Sequence, residues 1–186
     1  FYGMLVALLT VLIELGFAQQ IEKLHLSKML SLVLYVFLGI ALVEEMMKYL
    51  VVKTKVLGHA ECDEPVDIML YMIISALGFA ALENLFILFP LIQPFQFFET
   101  FAVSVFRFIG ATFLHALASG LIGYFLVLSF LKSKNGFKLR YAGIAIATVL
   151  HGLYDFSIIK IEGNLRFVIP IMILSILAVF ISLGFK

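Results

Sequence analysis

Glu44 and Glu45 stand side by side in a run of aliphatic and aromatic residues, with Lys48 one helical turn further on. Charge is expensive in such a run, because an intramembrane carboxylate must be paired, protonated, or turned toward water or a metal ion. On a helix Glu44 and Lys48 share a face, four residues apart, and pair in the favourable order with Glu toward the N-terminus. That pairing is expected to leave Glu45, turned roughly 100° away, as the freer carboxylate and the better general base. Three further apolar stretches carry polar groups of the same kind. Glu83 and Asn84 follow Phe79 in the string F-A-A-L-E-N. His115 lies on a stripe of four-residue steps, Arg107, Ala111, His115, Ser119 and Gly123. Gly143, Ala147, His151 and Asp155 form a second stripe, which puts an imidazole and a carboxylate one turn apart on a face of small residues.

Taken singly, each of these has a bland reading. A lone intramembrane histidine is more often a hydrogen-bonded packing residue than a ligand, and Glu44 with Lys48 can be a structural ion pair. Glu14 and Arg107 lie nearer segment ends and are expected to snorkel or to pair structurally. Together the set is harder to dismiss. Scattered through lipid, these acids and histidines would be far costlier than gathered in one polar pocket. The candidate catalytic residues are therefore Glu44, Glu45, His115 and His151, and the candidate metal ligands are Glu83, His115, His151 and Asp155.

Such a pocket suits two chemistries. Imidazoles with one or two carboxylates hold Zn²⁺ or a similar divalent metal, while another Glu takes a proton from water and passes it to a leaving amine. Asp155 would then either ligate or orient His151 from behind. Without a metal, Glu could activate water directly and His could stabilise the oxyanion. Both amount to peptide-bond hydrolysis.

The elements that must position these groups are spanning helices. The chain is 63% hydrophobic and 13% charged, with a mean hydropathy of +1.15, too little polar surface to cover a soluble globule. Its apolar residues fall into six segments, 1–18, 29–52, 67–89, 98–131, 140–159 and 166–185, each close to the ~20 residues a spanning helix needs. The expected fold is all-α, a polytopic membrane helix bundle forming one domain over residues 1–186. The first segment, which begins at Phe1 without a charged flank, reads as a spanning helix rather than a signal peptide. Breakers separate the spans: Pro65 before the third, Pro90 and Pro94 after it, and residues 133–136 between the fourth and fifth. The fourth segment is too long for one perpendicular helix, so residues 95–106 are expected to form an interfacial or tilted lead-in. Cys62 sits with His59, Glu61, Asp63 and Glu64 in a loop expected to be solvated; one Cys and one His are too thin for structural zinc.

Lys and Arg in the connections set the orientation. Lys53, Lys55, Lys132, Lys134, Lys138, Arg140 and Lys186 fall on one side, and Lys23, Lys28, Lys160 and Arg166 on the other. Seven against four predicts both termini in the cytoplasm. A net charge of +1 gives no reason for a nucleic-acid partner; the lipid bilayer is the partner that composition demands.

The ordered motifs E-E-x-x-K at Glu44, Glu45 and Lys48, F-x-x-x-E-N at Phe79, Glu83 and Asn84, then His115, then H-x-x-x-D at His151 and Asp155 resemble the PrsW family of intramembrane proteases. That family belongs to a wider group with the CAAX-prenyl endopeptidases and their bacterial relatives. The CAAX branch typically has E-E-x-x-x-R, F-x-x-x-H and Asn in the last motif; Lys48, Glu83 and Asp155 fit the PrsW branch better. The resemblance implies cleavage of membrane-anchored proteins, such as a single-span anti-sigma factor, in a prokaryotic cell membrane. One relative of the group, the multi-span scaffold subunit of gamma-secretase, keeps two intramembrane histidines without being credited with catalysis. A non-enzymatic scaffold is therefore the alternative, and a proton- or ion-coupled carrier a third reading, weakened by the lack of an inverted repeat. Depth counting adds a tension. If the second span runs inward and the third outward, Glu83 lies in the outer half, about 10 Å from Glu44 and Glu45 at ~1.5 Å per residue.

Overall fold

The computed structural model describes residues 1–88, 97–131 and 136–185, with side chains described for all of these except 88 and 97–108. These residues form helices α1 (Tyr2–Lys23), α2 (Lys28–Lys55), α3 (Pro65–Leu88), α4 (Phe97–Leu131), α5 (Gly136–Lys160) and α6 (Leu165–Gly184). Six helices among the described residues are long and apolar enough to cross a membrane, as the segments predicted. α1, α2 and α5 extend a few residues past their apolar runs, because polar residues can continue a helix into the interface and keep its backbone groups paired. The expected lead-in at 95–106 lies partly outside the described residues; from Phe97 onward the backbone is one helix of 35 residues. Pro90, Pro94, Lys132, Lys134, Lys186 and the Arg107 side chain also lie outside.

Leu5, Leu12, Ile74, Phe113, Ile171, Ile176 and Val179 are among the many large apolar side chains exposed on the outer surface. In water this surface would aggregate; against acyl chains it is the surface a bundle needs. The chain is an integral membrane protein. α4 is the central helix, with 67% of its spanning window buried against 22% for both α1 and α6. It packs against α2, α3, α5 and α6, and α1 closes the bundle against α2 and α3. The main core joins Val52, Met72, Leu114, Ile122, Leu126, Ile144, Ala147 and Leu177, and a smaller one joins Val6, Ala7 and Phe79.

Lipid supplies no hydrophobic drive between helices, so close approach depends on small residues. At Gly123 on the His115 stripe, a Cβ would lie 2.7 Å from the Cα of Met69, so α3 and α4 touch backbone to backbone. At Gly152, beside His151, a Cβ would run into the ring of Phe37. That contact seats α5 on the most unusual part of the fold.

The middle of α2 is not α-helical. After a start capped by the Ser27 hydroxyl, which accepts from the Leu30 amide at 3.3 Å, the helix runs as α over Lys28–Leu34 and as a π-helix over Tyr35–Leu42, then returns to α at Val43. Glu44 and Glu45 stand in the first turn after this return. A π segment is wider than an α-helix, rises less per residue and, with more residues per turn, sets back the rotation of everything that follows. It therefore holds the two carboxylates somewhat closer to the N-terminal end of α2 than α-helical counting allows. The predicted gap between Glu83 and the glutamate pair is corrected accordingly: His115 touches both Glu83 and Glu44.

Candidate active site

Lys48 organises the site. Its ammonium is fully buried and has three protons to donate. They are directed at Glu45 Oε1 at 2.7 Å, His115 Nδ1 at 2.9 Å and, more weakly, Glu44 Oε2 at 3.5 Å. The ring of Phe79 lies against the same ammonium, 4.8 Å from Nζ to centroid. Phe79, one turn before Glu83, thus packs the cation with a π face where water is excluded.

The expected division between the two glutamates is reversed. Glu45, not Glu44, is the closer partner of Lys48, and it is wholly enclosed. Its Oε1 also receives His151 Nδ1 at 2.8 Å, and its Oε2 accepts from the Ser119 hydroxyl at 3.4 Å. Glu45 is the tied carboxylate. Glu44 is the one that faces the cavity, which Glu45 does not line. Both glutamates lie within one α-helical turn of Lys48, at i,i+3 and i,i+4, and the tertiary partners decide between them: His151 and Ser119 draw Glu45 inward, and His115 meets the same ammonium.

Each imidazole is fixed by these contacts. Glu45 can only accept, so His151 carries its proton on Nδ1 and turns Nε2 toward Asp155 Oδ2 at 3.3 Å and Glu44 Oε2 at 3.8 Å. Lys48 can only donate, so His115 accepts on Nδ1 and donates from Nε2 to Glu83 Oε2 at 2.7 Å. Nδ1 of His115 is also 3.5 Å from Glu44 Oε2. The two rings meet edge to face with centroids 5.1 Å apart. Asn84 donates to the Thr112 hydroxyl at 2.9 Å, tying α3 to α4 one turn from Glu83 and His115.

A cavity of about 360 Å³ opens beside this cluster, lined by Glu14, Glu44, Glu83, His115, His151 and Asp155 with Ile40, Phe86, Leu114, Tyr154 and Ile159 among its apolar walls. Five of the predicted site residues share it, and Glu45 stands directly behind. Glu14 was expected to snorkel and instead joins the wall. The signal for it was present: Gly3, Val6, Ala7 and Thr10 mark the buried face of α1, and Glu14 continues that face one turn on.

Ligand atoms of Glu44, His115 and His151 all lie within 4.8 Å of one another. Two imidazoles and one carboxylate make the donor set of a catalytic zinc site. Charge points the same way. Glu44 and Glu45 share the Lys48 ammonium while Glu83 and Asp155 lie against His115 and His151, and a divalent cation beside these carboxylates would offset negative charge in surroundings where charge is costly to bury. The residues present fit a metal ion. Cys62 is far simpler: it sits in the α2–α3 loop, where partial burial and the nearby Asp67 and Asp63 push its thiol above the usual range.

The family model described as "PrsW family intramembrane metalloprotease" matches residues 1–184. The chain is 35% identical over 130 residues to a protein named Protease PrsW from Geobacillus kaustophilus, covering 68% of this chain and 52% of the relative. Protease PrsW of Bacillus subtilis is 28% identical over 138 residues, covering 74% of this chain and 60% of that protein. Protease PrsW of Oceanobacillus iheyensis is 29% identical over 147 residues, covering 77% and 63%. The chain thus spans between about half and just under two thirds of the length of these relatives. No solved structure matches it. With the match running through all six helices and every side chain of the cluster, the chain belongs to the PrsW family of intramembrane metalloproteases.

Proposed function

We propose that residues 1–186 form a single intramembrane protease domain that hydrolyses peptide bonds of membrane-anchored proteins in a bacterial cell membrane. The convergence of Glu44, His115 and His151 on one point of a polar cavity within an apolar bundle carries this reading. These three residues would hold Zn²⁺ or a similar divalent ion. When bound, such an ion polarises the scissile carbonyl and makes water acidic enough to attack at neutral pH.

The chain's own residues supply the rest. Glu83 lines the cavity, and its side chain is 21% exposed, against 5% for Glu44. With Asp155, whose side chain is 25% exposed, it is within reach of entering water, and it takes the water's proton and returns one to the leaving amine. Glu45 holds His151 through Nδ1 and so fixes the direction of Nε2, with Asp155 bracing the other edge. Lys48 holds Glu45 in register, and its contact with His115 Nδ1 is the one that a bound ion would replace. Apolar walls at Phe86, Leu114 and Ile159 accept a spanning segment and exclude bulk water.

The cavity takes a few unwound residues of a substrate rather than a whole helix, and a single-span protein of the anti-sigma-factor kind, the substrate class that the family resemblance implies, would supply them. The Lys and Arg bias supports both termini in the cytoplasm. The test is cleavage of a panel of single-span proteins by the purified chain in liposomes, with and without chelator. Cleavage that stops on chelation and returns with Zn²⁺ is expected; an intact panel under all conditions would leave the family's protease activity unrepresented in this chain.

A further inference from the structure

Glu14 is a carboxylate of the cavity that the assignments above leave unused. Its position on α1, one turn beyond the buried Thr10, turns it toward the bundle. Nine residues separate it from Lys23 at the end of the helix, about 13 Å at the α-helical rise, too far for a short side chain to reach the headgroups. Its Oε1 is buried and has no hydrogen-bond partner among the described residues. Glu44, Glu45, Glu83 and Asp155 by contrast each meet a lysine or a histidine. Glu14 is also not among the donors that converge with the imidazoles.

A buried acceptor left unsatisfied is unfavourable, so a donor that arrives with another molecule would relieve it. A spanning substrate brings such donors. Its helix must unwind before the scissile carbonyl is accessible, and each unwound residue leaves an N–H without a partner in apolar surroundings. We propose that Glu14 accepts a hydrogen bond from one backbone N–H of the unwound substrate and so sets the register of the peptide over His115 and His151. This rests on the protease reading and adds a substrate-binding residue to it. It also carries a specificity: proline, which has no N–H, is excluded from the position that faces Glu14.

The experiment uses the full chain in liposomes with single-span peptides, each N-methylated at one backbone position around the cleavage site. Glu14→Ala is expected to raise KM about tenfold or more with little change in kcat, the behaviour of a lost charged hydrogen bond that serves binding. Glu14→Gln, which keeps an acceptor oxygen, recovers most of the loss. One N-methyl position weakens binding to the wild type and has no added effect in Glu14→Ala. Thermal melting of Glu14→Ala is unchanged or raised; should that variant unfold, the N-methyl series on Glu14→Gln makes the same comparison, with a reduced effect at that position. Wild-type KM in Glu14→Ala, or an N-methyl profile identical in both proteins, overturns the role of Glu14 alone. A wild type that neither binds nor cleaves any peptide overturns the protease reading together with it.

Discussion

Glu45 Oε1 lies 2.8 Å from His151 Nδ1 and 2.7 Å from Lys48 Nζ, so one buried oxygen joins α5 to the polar turn of α2. Through it the direction of the His151 ring depends on a residue that never meets the cavity. The roles of the two adjacent glutamates follow from this contact.

Replacing Glu83 with Gln removes the proposed general base while keeping its size and an acceptor for His115. Turnover is expected to fall by about 10² to 10⁴ fold, the usual effect of losing a general base, with metal content and melting temperature retained. Single-turnover cleavage in liposomes alongside elemental analysis checks it. A Glu83→Gln protein at wild-type rate moves the proton transfer to Asp155, the other partly exposed carboxylate of the cavity.

Lys48 holds a buried ion pair, and removing one partner leaves the other charged and unpaired. Lys48→Ala alone should destabilise the protein by about 3 to 5 kcal/mol. The double variant Lys48→Met with Glu45→Gln should lose far less than the sum of its single changes, because the residues act as one unit. Thermal melts in detergent of the two single variants and the double variant measure the coupling. Additive losses would show that the pair does not bind the site together.

The six spans were readable because lipid demands runs of about 20 apolar residues, and Glu44, Glu83, His115, His151 and Asp155 were readable because polar groups in such runs seek one another. What could not be read was which glutamate faces the cavity. That depends on partners supplied by other helices, His115 and His151, which residue spacing within α2 cannot reveal. The π-helix at Tyr35–Leu42, a stretch of ordinary aliphatic and aromatic residues whose sequence does not announce its hydrogen bonding, accounts for part of the missed depth of Glu83. Lys48 shows the limit of pair rules: four-residue spacing favours Glu44 in isolation, yet His115 and His151 from neighbouring helices draw the ammonium and Glu45 together. Glu14 was misjudged for a different reason, since its distance from the helix end was weighed and the buried face beneath it was not.

Gly123 permits α3 and α4 to approach to backbone contact, with a Cβ only 2.7 Å from Met69 Cα. Backbone cannot give way as a side-chain tip does. Gly123→Ala is therefore expected to cost about 1 to 3 kcal/mol of stability, the range for overpacking, and to reduce turnover by shifting His115, two turns away on the same stripe. Melting temperature and kcat measured together test it, and an unchanged melt would mean the helices separate freely.

The account stands or falls on the metal centre, and the most direct measurement is the divalent-metal content of purified, folded wild-type protein set beside His151→Ala. The prediction is a stoichiometric divalent ion in the wild type and its loss in His151→Ala, which removes one of the three converging ligands. A folded wild type that cleaves single-span substrates while carrying no divalent metal would contradict it, and Glu44, His115 and His151 would then belong to a metal-free hydrolytic site.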